Sequence, residues 1–289
     1  MKVFSIINEK GGCGKTTTCV NVASALADNG VRTLIIDADS QGNSTRFFSD
    51  IYHKVTFEEF EKLEIPQSVN IRKSTKIIHD FLKAKQTLKD INSVLLGECS
   101  IEEAIYPTRY DNLDILPSFS TRLIKTNGDL MASTRAKHKF LKNALRDVRK
   151  KYDVVIIDNA PTFNNITTNC LFCCDEVILP LKPSFFELDG VINTLLEIFD
   201  FEDDYECDYK IHLLFAMIPR GKRPKYERFM NKIKAFFPKQ VFDITIGYQD
   251  AVASNSTMNS SLIVHSKSGV GNDYINLTQE LMNILNQED

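Results

Sequence analysis

No apolar run in this chain reaches the roughly 20 residues needed to cross a bilayer, which argues against a helical membrane-spanning protein. The opening MKVFSIINEK lacks the apolar core of a secretory signal, and the seven cysteines are an odd set without the spacing of a disulfide framework. A reducing cytoplasm is the expected compartment. Positive charge is not in excess either: the formal net charge is −3, so any contact with nucleic acid has to come from a local patch. Internal repeats and low-complexity linkers are absent, as is the N-K-x-D string that reads guanine.

What remains is 289 residues, 43% hydrophobic and 25% charged, long enough to bury a substantial core. Short apolar runs at 3–7, 33–37, 113–116, 154–158, 176–180, 211–217 and 241–244 alternate with helical spacing at 15–29, 132–151, 188–201, 225–237 and 273–285. That rhythm predicts βαβ units, hence an α/β fold with a twisted, mostly parallel sheet and helices on both faces. One domain over residues 1–289 is expected. Residues 50–90 break the rhythm, polar and charged with helical patches, and are expected to form a helical insertion.

The stretch EKGGCGKTTT, residues 9–18, follows an apolar strand and opens a helix, the context required of a phosphate-binding loop. Gly11, Gly12 and Gly14 allow backbone N–H groups to curl around phosphate oxygens, and Cys13 is small enough to sit among them. Lys15 can reach the β- and γ-phosphates, and the Thr16 hydroxyl can sit on Mg²⁺. The match to G-x-x-x-x-G-K-[ST] is imperfect: Glu9 replaces the first glycine, and Lys10 adds a second lysine. Asp37 and Asp39 in IIDADSQGNST, and Asp158 in VVIIDNAPT, stand at the carboxyl ends of strands, where open α/β sheets bind ligands. Alone, each aspartate reads as a strand-end cap. Beside the loop, Asp39 and Asp158 read as carboxylates that hold Mg²⁺ through its waters.

KGGCGKTTT, DADSQGN and IIDNAPTFNNITTNCLFCCDEVILPLKP together resemble the deviant Walker A ATPases of the ParA/Soj/MinD group, the ParA side most closely. LLGECSIEEAIYPTRYDNLDILPS and HSKSGVGNDYINLTQEL extend the similarity over residues 1–48 and 93–285. The resemblance implies a P-loop NTPase that hydrolyses ATP with Mg²⁺, slowly unless a partner stimulates it. It further implies an ATP-bound sandwich homodimer that binds DNA nonspecifically on the nucleoid, released when a ParB-like adaptor triggers hydrolysis during plasmid or chromosome partition. Carried over residue by residue, Lys10 is the signature lysine that crosses the dimer interface, and Lys15 the lysine for the subunit's own phosphates. Thr16 and Thr17 are Mg²⁺ and α-phosphate contacts, Asp39 orients the attacking water, and Asp158 is the Walker B carboxylate. The lysine supplied from the neighbouring subunit then acts like an arginine finger.

By the same analogy adenine lies near Met217 and Pro219 and against Ile246, Gly247 and Tyr248. Here IGYQDAV departs from the Ile-Pro-Arg-Asn of Soj-like proteins, so one usual DNA-contacting arginine is absent. A replacement stands nearby: residues 219–239 carry Arg220, Lys222, Arg223, Lys225, Arg228, Lys232, Lys234 and Lys239 against the single acid Glu227. Such a stretch can bind phosphates without sequence preference, although by itself a charge run is more often a solvated helix face, and it is the family resemblance that favours DNA. Two rival functions share the nucleotide switch, a ParA-like ATPase that positions a protein cargo and an iron–sulfur carrier. Against the second, Cys170, Cys173 and Cys174 fall in an apolar helical run without a second C-x-x-C and read as core packing. The C-terminal YINLTQELMNILNQED lacks the lysines of a MinD-like anchor, so no stable membrane association is expected.

Overall fold

Strands such as TLIIDA and VVIIDN have almost no polar face to offer water, so their chemistry demands cover on both sides. The computed structural model describes residues 1–48, 61–64, 70–83, 89–118, 120–132, 138–219 and 223–286. In chain order these form β1 (Lys2–Ile6), α1 (Lys15–Asp28), β2 (Thr33–Ala38), α2 (Asn43–Phe47), α3 (Ile71–Lys83), α4 (Ile91–Leu95), β3 (Tyr106–Pro107) and β4 (Leu113–Leu116). There follow α5 (Ser120–Ala132), α6 (Phe140–Val148), β5 (Val154–Asn159), α7 (Asn165–Cys173), β6 (Glu176–Leu181), α8 (Phe185–Tyr205) and β7 (Lys210–Phe215). The chain continues with β8 (Ile218–Pro219), α9 (Arg223–Phe236), β9 (Gly247–Tyr248), α10 (Asp250–Asn259), a 3₁₀ turn (Ile263–His265) and α11 (Gly269–Asn286).

Seven strands make one sheet in the order β3-β4-β2-β5-β1-β6-β7, parallel except for the short edge strand β3. Strand periodicity divides the core. Phe4, Ile6, Ile35, Val154, Ile156, Ile178 and Leu214 pack on the face covered by α1 and α11, while Val3, Leu34, Ile36, Val155, Ile157, Val177 and Leu179 pack on the opposite face. By the same alternation, Asp37 and Asp158 fall on the α1 face. The register pairs them directly, Asp37 opposite Asp158.

The expected mostly parallel α/β sheet is present, with local differences from the expected elements. Residues 241–244 form no strand: Val241 makes one isolated bridge to Leu213, and the amides of Asp243 and Ile244 then turn to Glu280 on α11 (3.2 and 2.8 Å). Of the helix expected over 132–151, Phe140–Val148 is helical as α6 and Ala132 ends α5, while 133–137 lie outside the described residues. The sequence of α10, DAVASNSTMN, has almost no apolar periodicity to reveal it. Within 50–90, α3 is helical; 49–60, 65–69 and 84–88 lie outside the described residues.

Candidate nucleotide site

β1 ends at Ile6, and Ile7 N still donates to Ile178 O (3.1 Å) before the chain bends at the buried Asn8. Asn8 staples the bend: Nδ2 donates to Pro180 O (2.8 Å), and Oδ1 accepts from Lys10 N (2.9 Å). The turn that follows is left-handed at Gly12 (φ 71°) and Gly14 (φ 96°), where a β-carbon is disfavoured. Gly14 is the N-cap of α1 and offers no side-chain acceptor, and the first turn of α1 has no acid. Its leading amides are therefore left for an anion. Lys15 is only 8% exposed, and its Nζ donates to Asn8 O (2.9 Å) and Lys10 O (3.0 Å), which holds the ammonium against the loop backbone. Cys13 is buried, with Sγ 3.3 Å from Lys10 O, and burial pushes its thiol up. Thr16 and Thr17 are half-buried on the first turn of α1.

The carboxylates gather beside this turn because β2, β1 and β5 bring their carboxyl ends together. Asp158 is fully buried, accepts the Ser44 hydroxyl on Oδ2 (2.7 Å) and is hydrogen-bonded by the Thr16 side chain. Burial pushes it up to about 6, against the lowering effect of those hydroxyls. Asp37, also fully buried, accepts the Thr45 amide and hydroxyl (both 2.7 Å) and the Asp39 amide (3.1 Å). Burial first and the Asp158 charge second push it up to about 8. Asp37 thus ties α2 to the sheet. Asp39 is 7% exposed and accepts Gln41 N (2.9 Å), so the two aspartates of DADS divide into an anchor and a group at the site's edge.

Lys10 is exposed and its stem runs along α8. A β-carbon on Gly190 would stand 2.5 Å from Lys10 Cγ and 2.8 Å from Cε, so that helix can hold nothing larger there while the lysine keeps its place. The same helix is tied to the loop by Glu9 N donating to Thr194 Oγ1 (3.2 Å), whose hydroxyl donates to Gly190 O (2.7 Å). Met217, in a left-handed turn (φ 60°), puts Cγ and Sδ 3.6 and 3.7 Å from where a Gly14 β-carbon would be. β8 and β9 pair Pro219 with Tyr248, while Ile246 is buried in the core with its amide on Phe215 O (2.8 Å). Met217, Pro219 and Tyr248 are half-buried, and of these Met217 lies beside Gly14.

Of the basic stretch, Arg220 and Lys222 lie outside the described residues and Arg223 opens α9. Met230 and Ile233 of that helix face the core, and Lys225, Arg228 and Lys232 are exposed on its other side. Cys170 is buried, Cys173 Sγ lies 3.1 Å from Cys170 O, and both pack in the core with Cys174. Sequence reasoning missed Asn8, Ser44, Thr45, Gly190 and Thr194. Ser44 and Thr45 carried a signal, a hydroxyl pair shortly after DADS at the opening of a helix; the others are joined only by the fold.

These residues suit a Mg²⁺-bound nucleoside triphosphate. The loop offers left-handed glycines, uncapped amides and a buried lysine; Thr16, Asp39 and Asp158 offer hard oxygens. Asp158 Oδ1 is buried without a hydrogen-bond partner among the described residues, an arrangement that is costly unless a cation or its waters reach it.

A family model described as an AAA domain matches residues 1–211. The chain is 25% identical over 281 residues to the sporulation initiation inhibitor protein Soj of Bacillus subtilis (strain 168), covering 97% of this chain and 98% of that one. It is 26% identical over 285 residues to the chromosome partitioning protein ParA of Caulobacter vibrioides (strain NA1000 / CB15N), covering 98% and 94%. Among solved structures, a plasmid partition protein of Borrelia burgdorferi B31 bound to AMPPNP shares the fold with a TM-score of 0.69 at 23% identity, covering 100% and 99% of the two chains. 

Proposed function

Because the chain belongs to the AAA domain family, as a ParA/Soj-type partition ATPase, we propose that it is a Mg²⁺-dependent ATP hydrolase that partitions DNA as a nucleotide-gated homodimer. The observation that carries this reading is the meeting of a glycine loop, a buried Lys15 and the carboxylates Asp39 and Asp158 at one edge of the sheet. Lys15 and the first amides of α1 hold the phosphates; Thr16 and Asp158 hold Mg²⁺, directly and through water. The bound ion supplies charge neutralisation. Asp39 orients the attacking water, and Lys10 reaches the neighbouring subunit's nucleotide, so that turnover waits on dimer formation. Adenine rests against Met217, Pro219, Ile246 and Tyr248. The whole chain acts as one ATPase unit, decorated by the segment at 50–90.

The proposed DNA surface is the outer face of α9, where Lys225 and Arg228 are exposed, with Arg220, Lys222 and Arg223, which precede them in sequence, as further proposed contacts. Its contacts are to phosphates, so affinity should drop steeply with salt and show no sequence preference. The ATP-loaded dimer would bind nucleoid DNA, and a ParB-like adaptor would stimulate hydrolysis and release it. The test is binding to duplexes of arbitrary sequence, with ATP, ADP or no nucleotide, across a salt series. ATP-dependent, salt-sensitive binding is expected. An ATPase that binds no DNA in any nucleotide state overturns the DNA half of the proposal and favours a protein cargo.

A further inference from the structure

Lys182, just beyond β6 in the string LPLKP, has no place in the phosphate-loop or carboxylate motifs, yet its Nζ lies 3.9 Å from where a β-carbon on Gly12 would stand. We propose that Lys182 is a third phosphate-binding lysine, acting within its own subunit at the rim of the loop. This rests on the nucleotide reading above and adds a residue to it.

The placement is fixed by backbone on both sides. Pro180 O takes Asn8 Nδ2, Leu181 O takes Ala216 N (2.9 Å), and Ser184 N turns back onto Lys182 O (2.8 Å). β6 therefore delivers Lys182 to the carboxyl edge of the sheet, next to the strand that carries the loop. The side chain is half-buried, and no ion pair or hydrogen bond engages its ammonium among the described residues. Removing part of a lysine's hydration without a counter-ion is unfavourable, and the loss is recovered when an anion occupies the loop. Two ammonium groups of the same subunit then border one glycine turn, Lys15 held by the loop's carbonyls and Lys182 beside Gly12, while the stem of Lys10 lies against α8. Glu187, in the first turn of α8, is the acid whose charge is felt at Cys13, and it moderates the cluster without pairing to Lys182.

A polyphosphate carries enough charge for both, and one additional charge-assisted contact is worth about tenfold in affinity. The experiment measures dissociation constants for AMPPNP and ADP by calorimetry on wild type, Lys182→Gln, Lys182→Met and Lys182→Arg, together with the melting midpoint of each without nucleotide. Lys182→Gln and Lys182→Met are expected to weaken AMPPNP about tenfold at an unchanged midpoint, with a shallower salt dependence, and Lys182→Arg to restore most of the affinity. If the Gln variant melts early, the Met variant, which keeps the apolar stem, decides the matter. Wild type that binds AMPPNP equally with both neutral variants overturns the role of Lys182 alone. Wild type that binds no nucleotide overturns the site as well.

Discussion

Buried carboxylates stand at both ends of one face of this sheet, and the protein treats them in opposite ways. At the amino end, Glu176 is fully buried and ringed by two lysines and a histidine: Lys2 Nζ at 2.9 Å, His212 Nε2 at 2.6 Å and Lys210 Nζ at 4.0 Å. Burial alone would raise its carboxyl, but the hydrogen bonds from His212 and Lys2 outweigh that and hold it below its usual value. At the carboxyl end, Asp37 and Asp158 are equally buried and meet amides, hydroxyls and each other, and their affinity for protons rises. The first site is complete without a ligand. In the second, negative charge has been gathered without a built-in counter-charge, as a cation-binding site requires.

Removing the acid from the complete site should have the larger effect on stability. Glu176→Ala leaves Lys2 and His212 facing a buried gap and is expected to cost about 3–5 kcal/mol in denaturant unfolding, with AMPPNP affinity of the folded protein unchanged. A loss below about 1 kcal/mol would mean Lys2, His212 and Lys210 are solvated well enough not to need their acid. Asp158→Asn should do the reverse. Neutralising one of two facing carboxylates is expected to change stability by less than about 1 kcal/mol, while ATP turnover falls by about 100-fold. A variant that loses several kcal/mol of stability (roughly 3 or more) yet turns over normally while folded would exchange the roles assigned to the two ends.

How much of this was legible beforehand follows the same division. Asp39 and Asp158 could be found because a strand end and a motif are local, and the loop with its two lysines occupies ten consecutive residues, 9–18. The Glu176 cluster could not, since Lys2, Glu176 and His212 meet only once β1, β6 and β7 are neighbours, and strand order is not written in any one segment. Lys182 and Gly190 were hidden likewise: each matters through the one atom or missing atom it brings to a loop more than 150 residues earlier in sequence. Asp37 was legible as a strand-end residue but not as the anchor of α2, because its partner Thr45 reads as an ordinary helix-opening hydroxyl. The inward periodicity of α9 was visible from Met230 and Ile233, whereas the polar α10 had no pattern to read.

The smallest and most direct test of the comparison is its dependence on pH. Asp37 and Asp158 have folded values raised to about 8 and about 6, so over the range from about 4 upward the native state holds more protons on them than the unfolded chain does. Without a divalent cation, their contribution makes stability decline as pH rises to 8. Glu176 works the other way: its contribution is complete above the unfolded glutamate value of about 4.3 and is lost as pH falls through the lower folded value. Mg²⁺ with AMPPNP favours the ionised aspartates and should flatten the decline between pH 6 and 8, an effect on the order of 1 kcal/mol read as melting midpoints against an EDTA control. The double variant Asp37→Asn with Asp158→Asn should be flat in both conditions, and Glu176→Gln should leave this window as it is in wild type. A decline that persists in the double variant would place its origin elsewhere in the molecule, and the carboxyl end would no longer stand apart from the amino end.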